Sequence, residues 1–485
     1  MNALRLVPLA LAAALAAAPA SAQPDRSAPP RPGPVRPLRL PPVERLALSN
    51  GLGVLLVPMH EVPVAEVLLV VRAGATADPP GREGLARTTA DMLDEGAGGK
   101  DALALADAVD FLGARLGTEA SWDASIVRLR VPVARLALAL PLMADVALRP
   151  DFPESELARL RKEALTDLLQ ARDVPGRIAS RALAQAVFGT NHRYGRPEGG
   201  DAASISALSV ADLRAFHAAH YAPASATLVV AGDVTRDVLP QLEEAFGAWR
   251  AAAAPAPAPA VAAPAALNSR TVWLVDKPGA AQSAIRIGAV GPSWSAPGYP
   301  SAEVMNTLLG GSFTSRLNDN IREQHGYAYG AASRILRYRT GGLFVALSDV
   351  QTDKTAPALV EFVKELERIR APATPAEVER ARSYAALGYA ADFETTAQVA
   401  RKVADRVVYD LPDGFFEEFV PKALATDAAA LQAAARGVVD PARMAFVVVG
   451  DRKAVEAPLR ALGLGDLRTL TVEDVMGPAP KVDSD

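Results

Sequence analysis

Across 485 residues there is no cysteine. That excludes disulfides, thiolate metal sites, a cysteine nucleophile and a lipid-bearing cysteine behind an export signal. Histidine is nearly as scarce: the five are His60, His192, His217, His220 and His325, and they are scattered. Only His217 and His220, three apart in a helical stretch, could share a face, and no nearby acid completes a ligand set with them. No G-x-S-x-G is present, so the strand-turn-helix nucleophile of many serine hydrolases is missing. Charge of one sign never accumulates: 51 Lys and Arg are mixed with 55 Asp and Glu, for a formal net charge of −4. A nucleic-acid binder would normally show a basic face instead. Beyond the N-terminus no apolar run reaches the length of a membrane span.

What is present begins with an export signal over residues 1–22. Arg5 gives a positive start, Leu6 to Ala18 a short apolar core, and Ala20-Ser21-Ala22 a cleavage site before Gln23. The core is too short and too alanine-rich to anchor in a bilayer. The composition resembles that of a high-GC bacterium, so the expected compartment is the periplasm, reached through the Sec pathway. Residues 23–39 are rich in proline and charge and read as an extended arm.

From Leu40 the pattern is globular. Leu46 to Val57 around Ser49-Asn50-Gly51 reads as a β-hairpin, and Val64 to Val71 as an apolar strand. Gly84 to Leu93 is a short helix. Amphipathic helices follow over Leu136–Leu148, Ser155–Gln170, Arg177–Val187 and Val210–His220. Then Arg250 to Arg270 alternates Ala and Pro, which suits neither helix nor central strand. We read 251–269 as a linker.

After the linker the order repeats. Ala226-Thr-Leu-Val-Val-Ala-Gly232-Asp233 returns as Met444-Ala-Phe-Val-Val-Val-Gly450-Asp451, an offset of 218 residues. The same offset carries Val54-Leu-Leu-Val57 to Val272-Trp-Leu-Val275. Two matching elements at one offset argue for duplication. The expected fold class is α+β: two homologous α/β halves, 40–250 and 270–476, each a mostly antiparallel sheet with helices packed on it, with a tail over 477–485.

One stretch of the second half carries more chemistry than the rest: Gly310 to Gly330, GGSFTSRLNDNIREQHGYAYG. Paired glycines precede a helix from Arg316 to about Gln324, with Leu317 and Ile321 on one face. Gly326 stops it. Tyr327 and Tyr329 then lie two apart on an extended segment. Arg322 and Tyr329, seven residues apart across the helix end, could together bind a peptide carbonyl or a developing oxyanion. A surface helix, a glycine cap and a half-buried strand would account for the same residues without function.

These stretches resemble the pitrilysin/insulinase metallopeptidases, the M16 family that includes the mitochondrial processing peptidase. The resemblance covers Leu40 to about Leu470. It is carried by Ser49-Asn50-Gly51, Gly84-Leu85-Ala86, Asp173-Val174-Pro175, Asn191 to Gly200, Phe216-His217 before Tyr221, and above all the Gly310 stretch. It implies a LuxS/MPP-like fold. Active members carry H-x-x-E-H on a helix of the first half: two histidines on one helical face bind Zn²⁺ and the glutamate activates the metal-bound water. Aligned on Gly84 and Met92, this chain has Arg87, Ala90 and Asp91 at those three positions, and Asp167, counted back from Pro175, at the third ligand. No H-x-x-E-H occurs elsewhere. Arg87 and Asp91 can pair at i, i+4, and a guanidinium there would repel the metal. We therefore expect no zinc in this chain, and zinc in a catalytic partner.

By the same resemblance, Arg322 and Tyr329 match the family's substrate-contacting arginine and tyrosine, while Tyr327 is a packing neighbour. Gly117 to Trp122 corresponds loosely to an edge strand that pairs with substrate. The expected role is thus a non-catalytic, substrate-binding subunit of a heterodimeric zinc peptidase acting on peptides or unfolded segments. The alternative is a peptide-binding or assembly protein of the same fold with no part in proteolysis.

Overall fold

The computed structural model describes residue 33 and residues 35–250 and 261–482. The expected signal peptide, most of the arm and the first part of the linker lie outside the described residues. Pro37 onward forms one compact unit.

The first sheet begins with strands β1 (Glu44–Ala47) and β2 (Gly53–Pro58). Their turn forms because Gly51 takes φ +86°, while Asn50 accepts from the Leu52 N–H at 3.1 Å and donates to the Phe246 and Trp249 carbonyls. Next come β3 (Val64–Val71), a two-residue hairpin of β4 (Gly96–Ala97) and β5 (Lys100–Asp101), then β6 (Arg115–Ala120), β7 (Ser125–Pro132) and β8 (Ala226–Gly232). The second half supplies β9 (Thr271–Asp276), β10 (Gln282–Gly291), β11 (Ala328–Arg337), β12 (Gly342–Gln351), β13 (Ala445–Gly450) and β14 (Leu467–Thr471).

Two six-stranded sheets result, ordered β1-β2-β8-β3-β7-β6 and β11-β12-β10-β13-β9-β14. Replacing β2, β3, β6, β7 and β8 by β9, β10, β11, β12 and β13 turns one order into the other. The register agrees as well. Val54 sits opposite Leu228 in the parallel pair β2–β8, and Val272, at the 218-residue offset, sits opposite Phe446 in the parallel pair β9–β13. Only one outer edge differs: β1 runs antiparallel to β2, whereas β14 runs parallel to β9. The other pairs are antiparallel.

Alternation puts apolar side chains on both faces of each sheet, so both faces need cover. One face of the first sheet packs on its own helices, with Val54, Leu56, Val67 and Leu69 against Leu140, Met143, Leu213 and Phe216. The opposite face, with Leu55, Val57, Leu68, Val70 and Val229, is covered from the second half. The helix Thr396–Tyr409 lays Val399, Ala400, Val403 and Ala404 on it. The exchange is reciprocal. The first-half helix Pro175–Phe188 places Ile178, Ala179, Ala182 and Leu183 on Ala284, Val345, Val447 and Val449 of the second sheet. Gly288 makes room for it, since a Cβ there would come within 3.0 Å of the Leu183 side chain. Each half therefore completes the other's core. Among the described residues no helix is long and apolar enough to cross a membrane.

Candidate functional site

In the first half, the helix Leu85–Asp91 starts at Gly84, whose φ is +93°. Glycine is required there twice over, because a Cβ would also meet the Gly199 carbonyl at 2.5 Å. Asp78 fixes the start by accepting from the Gly84 and Ala86 N–H groups, each at 2.8 Å, and it pairs with Arg193 at 2.9 Å. Arg193 also lies 5.0 Å over the Trp122 ring. The helix is thereby held against the loop that follows Asn191.

Its outward face lines a cleft of about 460 Å³ that brings together Arg87, Asp91 and Asp167. Ala90 is fully buried and packed away from it. Arg87 Nε donates to both oxygens of Asp91, at 3.0 and 2.9 Å. Asp167 receives two bonds from Arg177, at 2.8 and 2.6 Å. Those contacts, with the charge of Arg87 beyond them, hold the Asp167 carboxyl below its ordinary range. Burial does the opposite to Asp91, raising it against the pull of Arg87. The sequence pointed to the first ion pair and missed the second, although Arg177 could have been noticed one helix beyond Asp167. This donor set does not fit a zinc ion: both carboxylates are engaged by guanidiniums, and Arg87 stands where a neutral ligand is needed. Among the described residues no group of three or more His, Cys, Asp or Glu could hold a metal ion.

In the second half, the Gly310 stretch is more irregular than its pattern implies. Residues Thr307–Gly311 and Asp319–Gln324 are π-helical, flanking the short α-turn Arg316–Asn318. Such turns are uncommon and gather at functional sites. Leu317 and Ile321 are fully buried, and Gly326 takes φ +63°. Tyr329 then falls in a β-bulge, since Ala328 and Ala331 pair with Val350 and Ser348, three residues against two. The bulge turns Tyr329 outward; it is 94 % exposed. Tyr327 instead stacks on His325 at 4.9 Å.

Arg322 lies over two rings, its guanidinium carbon 5.4 Å from the centroid of Tyr329 and 4.5 Å from that of Phe313, the kind of contact that holds a cation beside aromatic rings. The nearest acid is Glu323, at 3.5 Å. Arg322, Tyr329, Phe313, Tyr384 and other residues of β11 line one open cleft. Phe313 was not singled out by the sequence; a bulky aromatic between small hydroxyl residues was the available signal.

The histidine pair is structural. His217 Nε2 contacts the Ala147 carbonyl at 2.9 Å and stacks on Tyr221, while His220 packs on Phe216. The Gly117 to Trp122 stretch splits: residues to Ala120 belong to β6, the outer strand of the first sheet, while Trp122 packs against Tyr194 and Tyr338.

Comparison with known proteins agrees with this architecture. The family model for insulinase (peptidase family M16) matches residues 54–197, and that for the peptidase M16 inactive domain matches residues 207–384. A protein of Rickettsia bellii described as an uncharacterized zinc protease is 24% identical over 340 residues, spanning 69% of this chain and 80% of that protein. The crystal structure of a peptidase M16 inactive domain from Pseudomonas fluorescens is similar with a TM-score of 0.79 and 27% identity, over 84% of this chain and 98% of that one. A protease from Helicobacter pylori shares the fold, with a TM-score of 0.76 and 20% identity over 84% of this chain and 100% of that one. The duplicated α+β halves and the two family matches lead to one conclusion: this chain belongs to the M16 (insulinase) peptidase family.

Proposed function

We propose that this chain is the non-catalytic, substrate-binding subunit of a heterodimeric M16 zinc peptidase. It is exported to the periplasm, binds no zinc of its own, and lends Arg322 and Tyr329 to the zinc site of a partner that carries H-x-x-E-H. One observation carries this reading: Arg322 sits over two aromatic rings at the mouth of an open cleft, with the neighbouring Glu323 at 3.5 Å as its ion-pair contact, beside a tyrosine that is almost wholly exposed. The first-half cleft supports the same reading from the other side, because its ion pairs supply neither a metal ligand set nor a general base. The partner's zinc supplies the activated water. Arg322 and Tyr329 then meet the substrate carbonyl and the negative charge that develops on it.

The test is co-purification and elemental analysis. The tagged chain is expected to retain an H-x-x-E-H relative, and zinc is expected to follow that relative and be absent from the isolated chain. Stoichiometric zinc in the isolated chain would sink the proposal. Failure of every H-x-x-E-H relative from the same organism to associate, with peptide still bound by the chain alone, would favour the peptide-binding alternative.

A further inference from the structure

We infer that Phe313 and Asn318 are positioning residues for the Arg322–Tyr329 pair, an assignment that rests on the function proposed above. Phe313 is 65 % exposed, so burial in a core does not explain a large aromatic at that point. Its ring does meet Arg322, and more closely than Tyr329 does: 4.5 Å against 5.4 Å. Phe313 thus gives the guanidinium a second aromatic contact besides Tyr329. Without it, a flexible four-torsion side chain would keep only one.

Asn318 links the two segments that carry these rings. It is buried, and its two ends reach one segment each. The Nδ2 group donates to the Phe313 carbonyl at 2.7 Å, and Oδ1 accepts from the Ala331 N–H at 3.2 Å. Ala331 is the first residue after the bulge that carries Tyr329. The bulge is pinned from its other side by Ser348, whose hydroxyl donates to the Gly330 carbonyl at 2.8 Å. One amide therefore ties the Phe313 turn to the Tyr329 strand, with Arg322 between them. Side-chain amides suit this task because one end donates while the other accepts.

The chain alone permits a test that needs no partner. Phenylglyoxal attacks accessible guanidiniums, and peptide mapping by mass spectrometry reads the rate at each arginine. In Phe313→Leu, which keeps bulk and loses the aromatic face, Arg322 is expected to react about 2–5-fold faster than in the wild type. Phe313→Tyr restores the face and is expected to restore the slow rate. Asn318→Asp keeps the acceptor for Ala331 but loses the donor to Phe313, and is expected to fall between the two. Exposed Arg334, on the same strand as Ala331, serves as the control and should not change in any variant. An unchanged Arg322 rate in Phe313→Leu overturns the inference, even if Asn318→Asp fails to fold. In a mixture with a zinc-bearing partner, Phe313→Leu should lower kcat with little change in KM, and Phe313→Tyr should recover it. Loss of function through KM alone would also overturn the assignment. If no mixture is active, the shared-site proposal falls, while the reagent rates still decide whether Phe313 positions Arg322.

Discussion

Arg87 and Arg322 are the same residue type at the clefts of two homologous halves, and the protein uses them in opposite ways. Arg87 places its guanidinium edge on a carboxylate, with both Asp91 oxygens within 3.0 Å. Arg322 lies over two rings, and its ion-pair contact, to the adjacent Glu323, is looser at 3.5 Å. A charged edge satisfied inside the chain has little left to offer a substrate. A guanidinium packed against rings is positioned yet still able to donate. The contrast explains how one duplicated scaffold can hold a closed cleft and an open one at once.

The comparison assumes that the halves form a single structural unit, and that assumption can be broken first. Val403 is buried on the second-half helix that covers the first-half sheet. Val403→Asp is expected to cost about 3–5 kcal/mol. In urea denaturation, tryptophans of both halves should report one shared transition at lower urea. Two separate transitions, with the second half unaffected, would contradict the reciprocal cover.

A smaller effect concerns three buried carboxyls. Burial pushes the Glu198 carboxyl up to about 7, against the pull of Arg193 and Arg87. Burial likewise raises Asp94 and Asp405 to about 6. Carboxyls with a folded pKa above the unfolded value bind protons more readily in the fold. Their stability contribution is present below about pH 4 and is lost as pH rises through 6 to 7. These groups should therefore raise Tm by a few degrees as pH falls from about 8 to 5. Glu198→Gln should flatten the upper part of that profile, and an unaltered slope would contradict it.

The smallest effect is expected at Arg87. Its pair with Asp91 is largely solvated, with the arginine side chain 57% exposed. Arg87→Ala should change stability by at most about 1 kcal/mol and leave the peptidase rate of a mixed preparation unaltered. A large loss of rate would give the closed cleft a function that its ion pairs argue against.

Much of this was legible in the residues. The 218-residue offset joined β2 to β9 and β8 to β13, and those strands occupy equivalent positions in the same register. The Arg87–Asp91 pair followed from helical spacing. The helix Thr396–Tyr409 has a capping box, Thr395 with Gln398, before Val399, Ala400, Val403 and Ala404 at helical spacing. An apolar helix face shows only that something is covered, not which sheet. The bulge at Tyr329 and the π-turns beside it were out of reach for a related reason. The bulge depends on the register between β11 and β12, the π-turns on one extra residue per helical turn, and the local pattern of the Gly310 stretch is equally compatible with a regular helix and strand.

The central claim is that Arg322 and Tyr329 serve a zinc site in another chain. It is tested most directly by mixing this chain with an H-x-x-E-H partner and comparing the wild type with Arg322→Ala and Tyr329→Phe. The account predicts that losing the Arg322 donors lowers kcat about 10²–10³-fold, with a smaller drop for Tyr329→Phe and no change in subunit association. An unchanged peptidase rate in both variants would contradict it.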